Sequence, residues 1–342
     1  MQPRLLSLAT ATPTHILDRD TVTAFARAHF GASAERLLPV FANAGVMRRR
    51  SCVPVEWYGR PHGWAERSRL FVEHAVTLAA EAATQAIGRA GLSTNQVDAV
   101  VAVTTSGVCT PSLDALLMQR MGLRPDVTRL PVFGLGCGGG VLGLARAAAL
   151  AKAEPGARVL LVVVELCGLT FRAGDESNSN IVATALFGDG AAAALISTEG
   201  DGPRLAAWGE HTWPGTLDVM GWRIEDDGFG VLFSQDIPAL VRHRYRAALD
   251  QWLARQGLSL ADLDGFALHP GGTKVVAALE EALDLPPGRL VAERAVLAEY
   301  GNMSAATLLF VLERTLAAPL PRRTLLGALG PGFTAGFVLM EG

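Results

Sequence analysis

Three features of the sequence predict a duplicated α/β fold built in five layers, α-β-α-β-α. Blocks recur in the same order in its two halves, apolar runs appear without alternation, and an Ala/Gly-rich helix falls between them. Arg89-Ala-Gly-Leu-Ser, followed by Val97-Asp98, returns as Arg255-Gln-Gly-Leu-Ser, followed by Leu263-Asp264. Each copy ends a helical stretch at glycine and enters an apolar strand, Ala99–Val103 in one and Gly265–Leu268 in the other. Gly136-Cys137-Gly138 stands in register with Gly301-Asn302-Met303, and Arg158-Val-Leu-Leu with Arg323-Thr-Leu-Leu, at one common offset. A third pairing matches the glycines of Leu186-Phe-Gly-Asp-Gly to those of Leu329-Gly-Pro-Gly at a shorter offset, which predicts an insertion in the first half around Leu166–Ala185. The two halves are read as residues 1–205, carrying Cys137, and 206–342, carrying His269 and Asn302.

The strand Val159–Val164 is a continuous apolar run, as a sheet buried on both faces requires. Val141–Ala153 is rich in Ala and Gly, which suits a helix packed closely between layers. In such a double fold, equivalent turns face each other across a pseudo-twofold axis. Cys137 and Asn302 are therefore predicted to converge.

Composition narrows the function. Half of the 342 residues are hydrophobic and 18% are charged, with a mean hydropathy of +0.28, so disorder is excluded as the main state. A net charge of −3 offers no global field for nucleic acid; an anionic ligand needs a local basic patch. The run Val159–Val164 is far short of the ~20 residues of a membrane span. The opening Met1–Thr10 faintly imitates a signal peptide, but it runs into Thr-Pro-Thr and reads better as a first buried strand. Cys52, Cys109, Cys137 and Cys167 show no paired spacing and no CxxC, which makes a reduced, cytoplasmic, metal-free protein the default expectation.

Three residues stand out chemically. Cys137 lies in Gly134-Leu-Gly-Cys-Gly-Gly-Gly, between a short strand and a helix. Flanking glycines leave its sulfur uncrowded, and free N–H groups at a helix start, with a neighbouring His⁺, would favour thiolate. The plainer alternative is a small buried hydrophobe in a tight turn. The same stretch spells Gly134-x-Gly136-x-x-Gly139 with Glu165 closing the next strand, a dinucleotide fingerprint. Against that reading, the acid comes late and the duplicate turn keeps no glycine-rich loop. His269, in Leu268-His-Pro-Gly-Gly, is presented at a strand's end; a turn histidine satisfied by backbone is the alternative. The other six histidines read as surface. Asn302, in Glu299-Tyr-Gly-Asn-Met-Ser, could simply cap a helix. Together, Cys, His and Asn supply a nucleophile, a base and an amide donor, a set suited to acyl transfer and to stabilising a thioester enolate.

Thr104-Thr-Ser-Gly-Val, Gly136-Cys-Gly-Gly-Gly, Ala185-Leu-Phe-Gly-Asp-Gly-Ala-Ala-Ala, His269-Pro-Gly-Gly, Glu299-Tyr-Gly-Asn-Met-Ser and Gly330-Pro-Gly resemble the type III polyketide synthases. These are chalcone-synthase-like enzymes of the thiolase fold. The resemblance implies that Cys137 accepts the acyl group and that His269 and Asn302 complete a catalytic triad. It makes Phe187 the gate beneath a coenzyme A tunnel, and Thr105, Thr170 and Ser304 cavity-lining residues. There are departures. A second gating phenylalanine aligns with Val231, although Phe233 is close; a methionine that crosses the dimer interface becomes Thr110; a cavity glycine that governs product size becomes Trp222. No residues match those that hold the coenzyme A phosphates, since Arg36 and Arg48-Arg49-Arg50 are only neighbours.

These departures resemble bacterial alkylpyrone and alkylresorcinol synthases. The implied reaction loads an acyl-CoA starter, a fatty one, and extends it with malonyl-CoA by decarboxylative Claisen condensation before cyclisation. A homodimer is implied, with coenzyme A thioesters as substrates and no metal, nicotinamide or flavin. An aliphatic starter is expected to lie in a channel floored by Thr110 and Cys109. Two rivals are a ketoacyl synthase III that takes malonyl from acyl carrier protein, and an acyl-CoA-binding protein without turnover.

Overall fold

In the computed structural model, the backbone of residues 1–342 is described, with the side chains of all but residues 32–34, 36 and 37. Nine strands carry the fold: β1 (Arg4–Ala11), β2 (Ala99–Thr104), β3 (Thr128–Phe133), β4 (Val159–Leu166), β5 (Asp189–Ser197), β6 (Arg204–Thr212), β7 (Gly265–Leu268), β8 (Arg323–Gly330) and β9 (Thr334–Glu341). They hydrogen-bond in the order β7-β8-β9-β6-β1-β5-β4-β2-β3. The join between β6 and β1 is the single pair Arg204–Arg4, so this is two sheets touching at a corner. Their orders, β3-β2-β4-β5-β1 and β7-β8-β9-β6, repeat one topology. In each, a parallel pair (β2 with β4, β7 with β8) is followed by antiparallel neighbours. Edge strand β3 has no counterpart in the second sheet.

The helices that matter for the site are α1 (Trp64–Arg89), α2 (Gly139–Ala153), α3 (Asn178–Leu186), α4 (Arg246–Ala254), α5 (Thr273–Ala282) and α6 (Ala305–Leu316). Side-chain alternation along the strands builds the layers. From β4, Leu160, Val162 and Val164 pack with Leu78 and Ala82 of α1, while Leu161 and Val163 pack with Leu144 of α2 and Leu308 of α6. From β8, Leu326 and Ala328 join that middle core, and Leu325 and Leu329 face Leu249 of α4 and Leu279 of α5. Both faces of the sheets are thereby covered, at roughly 1.5–3 kcal/mol for each fully buried Val or Leu. The five layers are α1, sheet, α2 with α6, sheet, and α4 with α5.

Two expectations need correction. Gly330 ends β8 and Gly332 lies in the following turn, whereas Gly188 precedes β5 and Gly190 is inside it. The third glycine pairing therefore matched positions that are not equivalent; strand register makes Glu165 the counterpart of Gly330. The insertion itself lies where expected, since Cys167–Gly188, including α3, stands where the second half has only Pro331–Phe333. The second correction concerns His62, which is buried at 3% exposure and not at the surface. Its ring stacks on Trp57 at 3.8 Å, and its nitrogens meet Trp57 O at 2.7 Å and Glu66 Oε2 at 2.9 Å. The contact of Nε2 with Trp57 O offsets part of its desolvation.

Candidate active site

The middle layer brings the two turns together. Cys137 occupies a 3-10 turn, Gly136–Gly138, directly ahead of α2. Gly136 has φ +48°, and a Cβ there would fall 2.4 Å from Pro331 Cδ, so only glycine meets both conditions. Its N–H donates to Thr105 Oγ1 at 2.9 Å, which ties the turn to the end of β2. Asn302 precedes α6. Its Oδ1 accepts from Ser304 N at 2.8 Å, and its Nδ2 donates to Gly271 O at 3.2 Å. Its own N–H donates to Leu186 O, and its carbonyl accepts from Gly188 N, so the backbone on both sides of Phe187 is fastened to Asn302. Ser304, at φ +46°, is one of three non-glycine residues in the left-handed region, a conformation that concentrates at functional sites.

His269 follows β7 and holds its main chain to Gly327 O at 2.9 Å. Both of its ring nitrogens are buried without a partner. Glu293 fixes the strand end by accepting from Leu268 N at 2.9 Å. Cys137, His269 and Asn302 line one cavity of about 540 Å³. The exposed residues Pro39, Asn43, Gln235 and Lys274 border it at one end.

Burial controls the charge state. It pushes the Cys137 thiol up to about 11 and the nearby Glu165 carboxylate adds to this, while hydrogen bonds from Ser304 and Asn302 pull the other way. Burial also lowers His269 to about 4. Burial thus opposes the expected thiolate beside an imidazolium, since each charged form would be desolvated.

The sequence reading missed Glu165 as a structural member of this site. Its carboxylate is fully buried, and Oε2 accepts from Thr105 N and Ser106 N, both at 3.0 Å, and from Ser106 Oγ at 2.6 Å. Burial raises its pKa to about 7. An inward-facing carboxylate so engaged is not free to bind a ribose, which disposes of the dinucleotide reading. The signal was present in the sequence as an acid closing an apolar strand, a placement that demands partners.

The expected cavity residues divide. Phe187, Thr170 and Val231 line a second cavity of about 50 Å³. Phe233 lines the larger one and meets the Phe187 ring edge-on at 5.6 Å. Trp222 donates its indole N–H to Thr105 O at 3.0 Å, with its ring 6.0 Å from Phe187, and so fills the space between them. Thr105, Trp222 and Ser304 line neither cavity; they brace the turns around them through these hydrogen bonds and that from Ser304 N to Asn302. Thr110 is exposed, and neither it nor Cys109 lines either cavity, so the expected channel floor is not found there. The Arg36 side chain lies outside the described residues. Arg49 turns inward, donating to Thr184 O and Phe187 O, and burial lowers its pKa to about 10. Lys274, which the sequence reading passed over, is the cation at the cavity's exposed end among the described residues. Among those residues no group of three His, Cys, Asp or Glu side chains is placed to hold a metal, and no helix is long and apolar enough to cross a membrane.

The chain is similar to known proteins over almost its whole length. The family model for the N-terminal domain of chalcone and stilbene synthases matches residues 58–200, and that for the C-terminal domain matches 206–342. A 1,3,6,8-tetrahydroxynaphthalene synthase of Streptomyces peucetius subsp. caesius is 41% identical over 321 residues, covering 91% of this chain and 85% of its own. A Bacillus subtilis (strain 168) protein named for chalcone synthase is 36% identical over 98% of both chains. The crystal structure of 1,3,6,8-tetrahydroxynaphthalene synthase from Streptomyces coelicolor A3(2), a bacterial type III polyketide synthase, superposes with a TM-score of 0.95 at 28% identity, covering 99% of each chain. With both family domains matched, the same thiolase-like fold and relatives of this identity, the chain belongs to the chalcone and stilbene synthase family and is a type III polyketide synthase, an acyltransferase.

Proposed function

We propose that this synthase loads a fatty acyl-CoA starter on Cys137 and extends it with malonyl-CoA. The product then cyclises to an alkylpyrone or alkylresorcinol-type ring. The observation that carries the catalytic part is the meeting of Cys137, His269 and Asn302 in one buried cavity whose outer end bears Lys274. The thiol proton passes to a ring nitrogen of His269 as sulfur attacks the thioester, and free coenzyme A leaves. Malonyl-CoA next loses CO₂, and its carbonyl oxygen gathers the enolate charge. Donors from His269 and Asn302 meet that charge; one such donor is typically worth ~2.7–4 kcal/mol in the transition state. The enolate carbon attacks the acyl carbonyl and releases Cys137 for another round. Lys274 is suited to an anionic group of the substrate's carrier. The scheme draws on coenzyme A thioesters alone.

The fatty starter rests on the departures at Trp222 and Val231, since Thr110 is exposed and lines neither cavity. A second reading, a 1,3,6,8-tetrahydroxynaphthalene-type product, is favoured by the 41% identity to a synthase of that name. A homodimer is supported by edge strand β3, which ends at Phe133 with 51% of it exposed. A reduced, cytoplasmic setting is supported by four free cysteines. Incubating the protein with ¹⁴C-malonyl-CoA, with and without a starter panel, and weighing the products separates these readings. Ring products of several extensions from fatty acyl-CoA support the first. A product from malonyl-CoA alone supports the second. A single condensation requiring malonyl-acyl carrier protein would overturn both.

A further inference from the structure

Met220–Glu225 and Gly228–Phe233 form a hairpin that pairs with no other strand. A two-stranded ladder is marginal by itself. Neither residue of its turn, Asp226-Asp227, is in the left-handed region, so the turn lacks the primed geometry that suits strand twist. Contacts at the tip hold it instead. Trp64 Nε1 donates to Glu225 O at 2.8 Å, and Arg67 Nε, the next turn along α1, donates to Asp227 O at 2.9 Å. Arg172 Nε donates to Oδ1 of the same Asp227 at 2.7 Å. Arg67 also donates to Leu169 O, so one guanidinium joins the hairpin to the Cys167–Thr170 turn. Burial lowers the Arg67 pKa and the Asp227 carboxylate opposes this, so one acid serves both cations.

The rest of the hairpin reaches the site. Across its ladder Val231 faces Trp222 and Phe233 faces Met220, and Val231, Trp222 and Phe233 pack in one cluster with Phe187 and Cys167. The Trp222 and Phe233 rings lie 6.0 and 5.6 Å from that of Phe187. Trp222 is bonded to the carbonyl of Thr105, whose hydroxyl holds Gly136 N beside Cys137. Arg67, Arg172 and Asp227 themselves line neither cavity. The tip can therefore be altered without changing any wall.

We propose that Asp227, gripped by Arg67 and Arg172, is a positioning residue that keeps the hairpin seated against Phe187, and that this seat denies water to the acyl thioester on Cys137. Where the hairpin lifts, the hydroxyl of a water adds to the thioester carbon and the carbon–sulfur bond breaks. Sulfur takes the remaining proton, and the chain leaves as a linear carboxylic acid. This assignment rests on the reading of Cys137 as the acyl carrier.

The test is the ratio of linear acid to ring product from one starter and malonyl-CoA, read beside the rate of acyl adduct formation on Cys137. Arg67→Ala would strip several carbonyls of their donor and risk the fold, so its two partners carry the test. Asp227→Ala removes a partly exposed carboxylate but keeps the carbonyl that Arg67 uses. Asp227→Ala and Arg172→Gln are each expected to raise the ratio about 3- to 10-fold, the value of one hydrogen bond, with the loading rate unchanged. The double variant is expected to match the larger single effect, because both changes remove one contact. A wild-type ratio in both single variants, or effects that multiply in the double, would overturn the assignment while leaving the synthase reading intact. A loading rate that falls in step with ring formation, at a wild-type ratio, would make the contact merely structural and overturn it equally. Absence of any acyl adduct or polyketide from the wild type would overturn the synthase reading, and this one with it.

Discussion

Gly140 of α2 lies against the Ala305 carbonyl of α6, so that a Cβ on the glycine would fall 2.3 Å from that oxygen. Gly139 is nearly as close, its Cβ position being 2.9 Å from Ala305 Cβ. These helices begin just after Cys137 and Asn302, so their contact sets how near the two turns approach. Gly140→Ala is expected to force the helices apart and destabilise the fold by ~1–3 kcal/mol, the range for overpacking a core. It should also slow acyl loading. Urea unfolding at wild-type stability would contradict the close-packing argument.

Cys137→Ala removes the proposed nucleophile without adding volume. Intact-protein mass spectrometry after incubation with acyl-CoA is expected to show an adduct on the wild type and none on the variant. Equal adducts would move the assignment to another thiol. Cys109, which is half-buried, would then be tested before Cys167, which is fully buried and has its pKa raised by that burial.

Asn302→Ala tests the division of labour within the triad. On the proposed mechanism the amide meets enolate charge and is not required to deprotonate sulfur, so loading should persist while CO₂ release from malonyl-CoA falls ~10²–10³-fold. Normal CO₂ release with failed loading would reverse the role. The variant also loses the hydrogen bonds to Ser304 N and Gly271 O, so its circular dichroism should be recorded alongside.

Glu293 gives a pH prediction. Burial raises its pKa from 4.5 to about 7. A raised carboxylate stabilises fully below its unfolded value, and that stability is lost as pH rises through the folded value. Relative to Glu293→Gln, the wild type should therefore lose up to about 3 kcal/mol between pH 4.5 and 7, and little more above it. His269, lowered to about 4, acts in the opposite sense, losing stability as pH falls from 6.5 toward 4. Both proteins contain it, so it cancels in the difference. Parallel urea stabilities from pH 5 to 8 would refute the Glu293 assignment.

Much of the fold was legible because it is written in local pattern. The unbroken apolar run that became β4 and the common offset between Cys137 and Asn302 needed only adjacent residues and a repeated spacing to be read. The third glycine pairing failed because glycines punctuate many turns, and only strand register showed which turn Gly330 closes.

What the sequence by itself determined was the doubled topology and the residue types at three turns within the halves: a cysteine, a histidine and an asparagine. Periodicity, glycine placement and duplication are properties of the chain that survive without knowing any distance. The tertiary structure alone decided which side chains share a cavity and what charge they carry there. Burial, which depends on every layer packed around Cys137 and His269, penalises the charged form of each. Thr110 is exposed while Tyr245 reaches the triad cavity from a helix no motif marked, because the volume left open is set by the joint packing of elements distant in sequence.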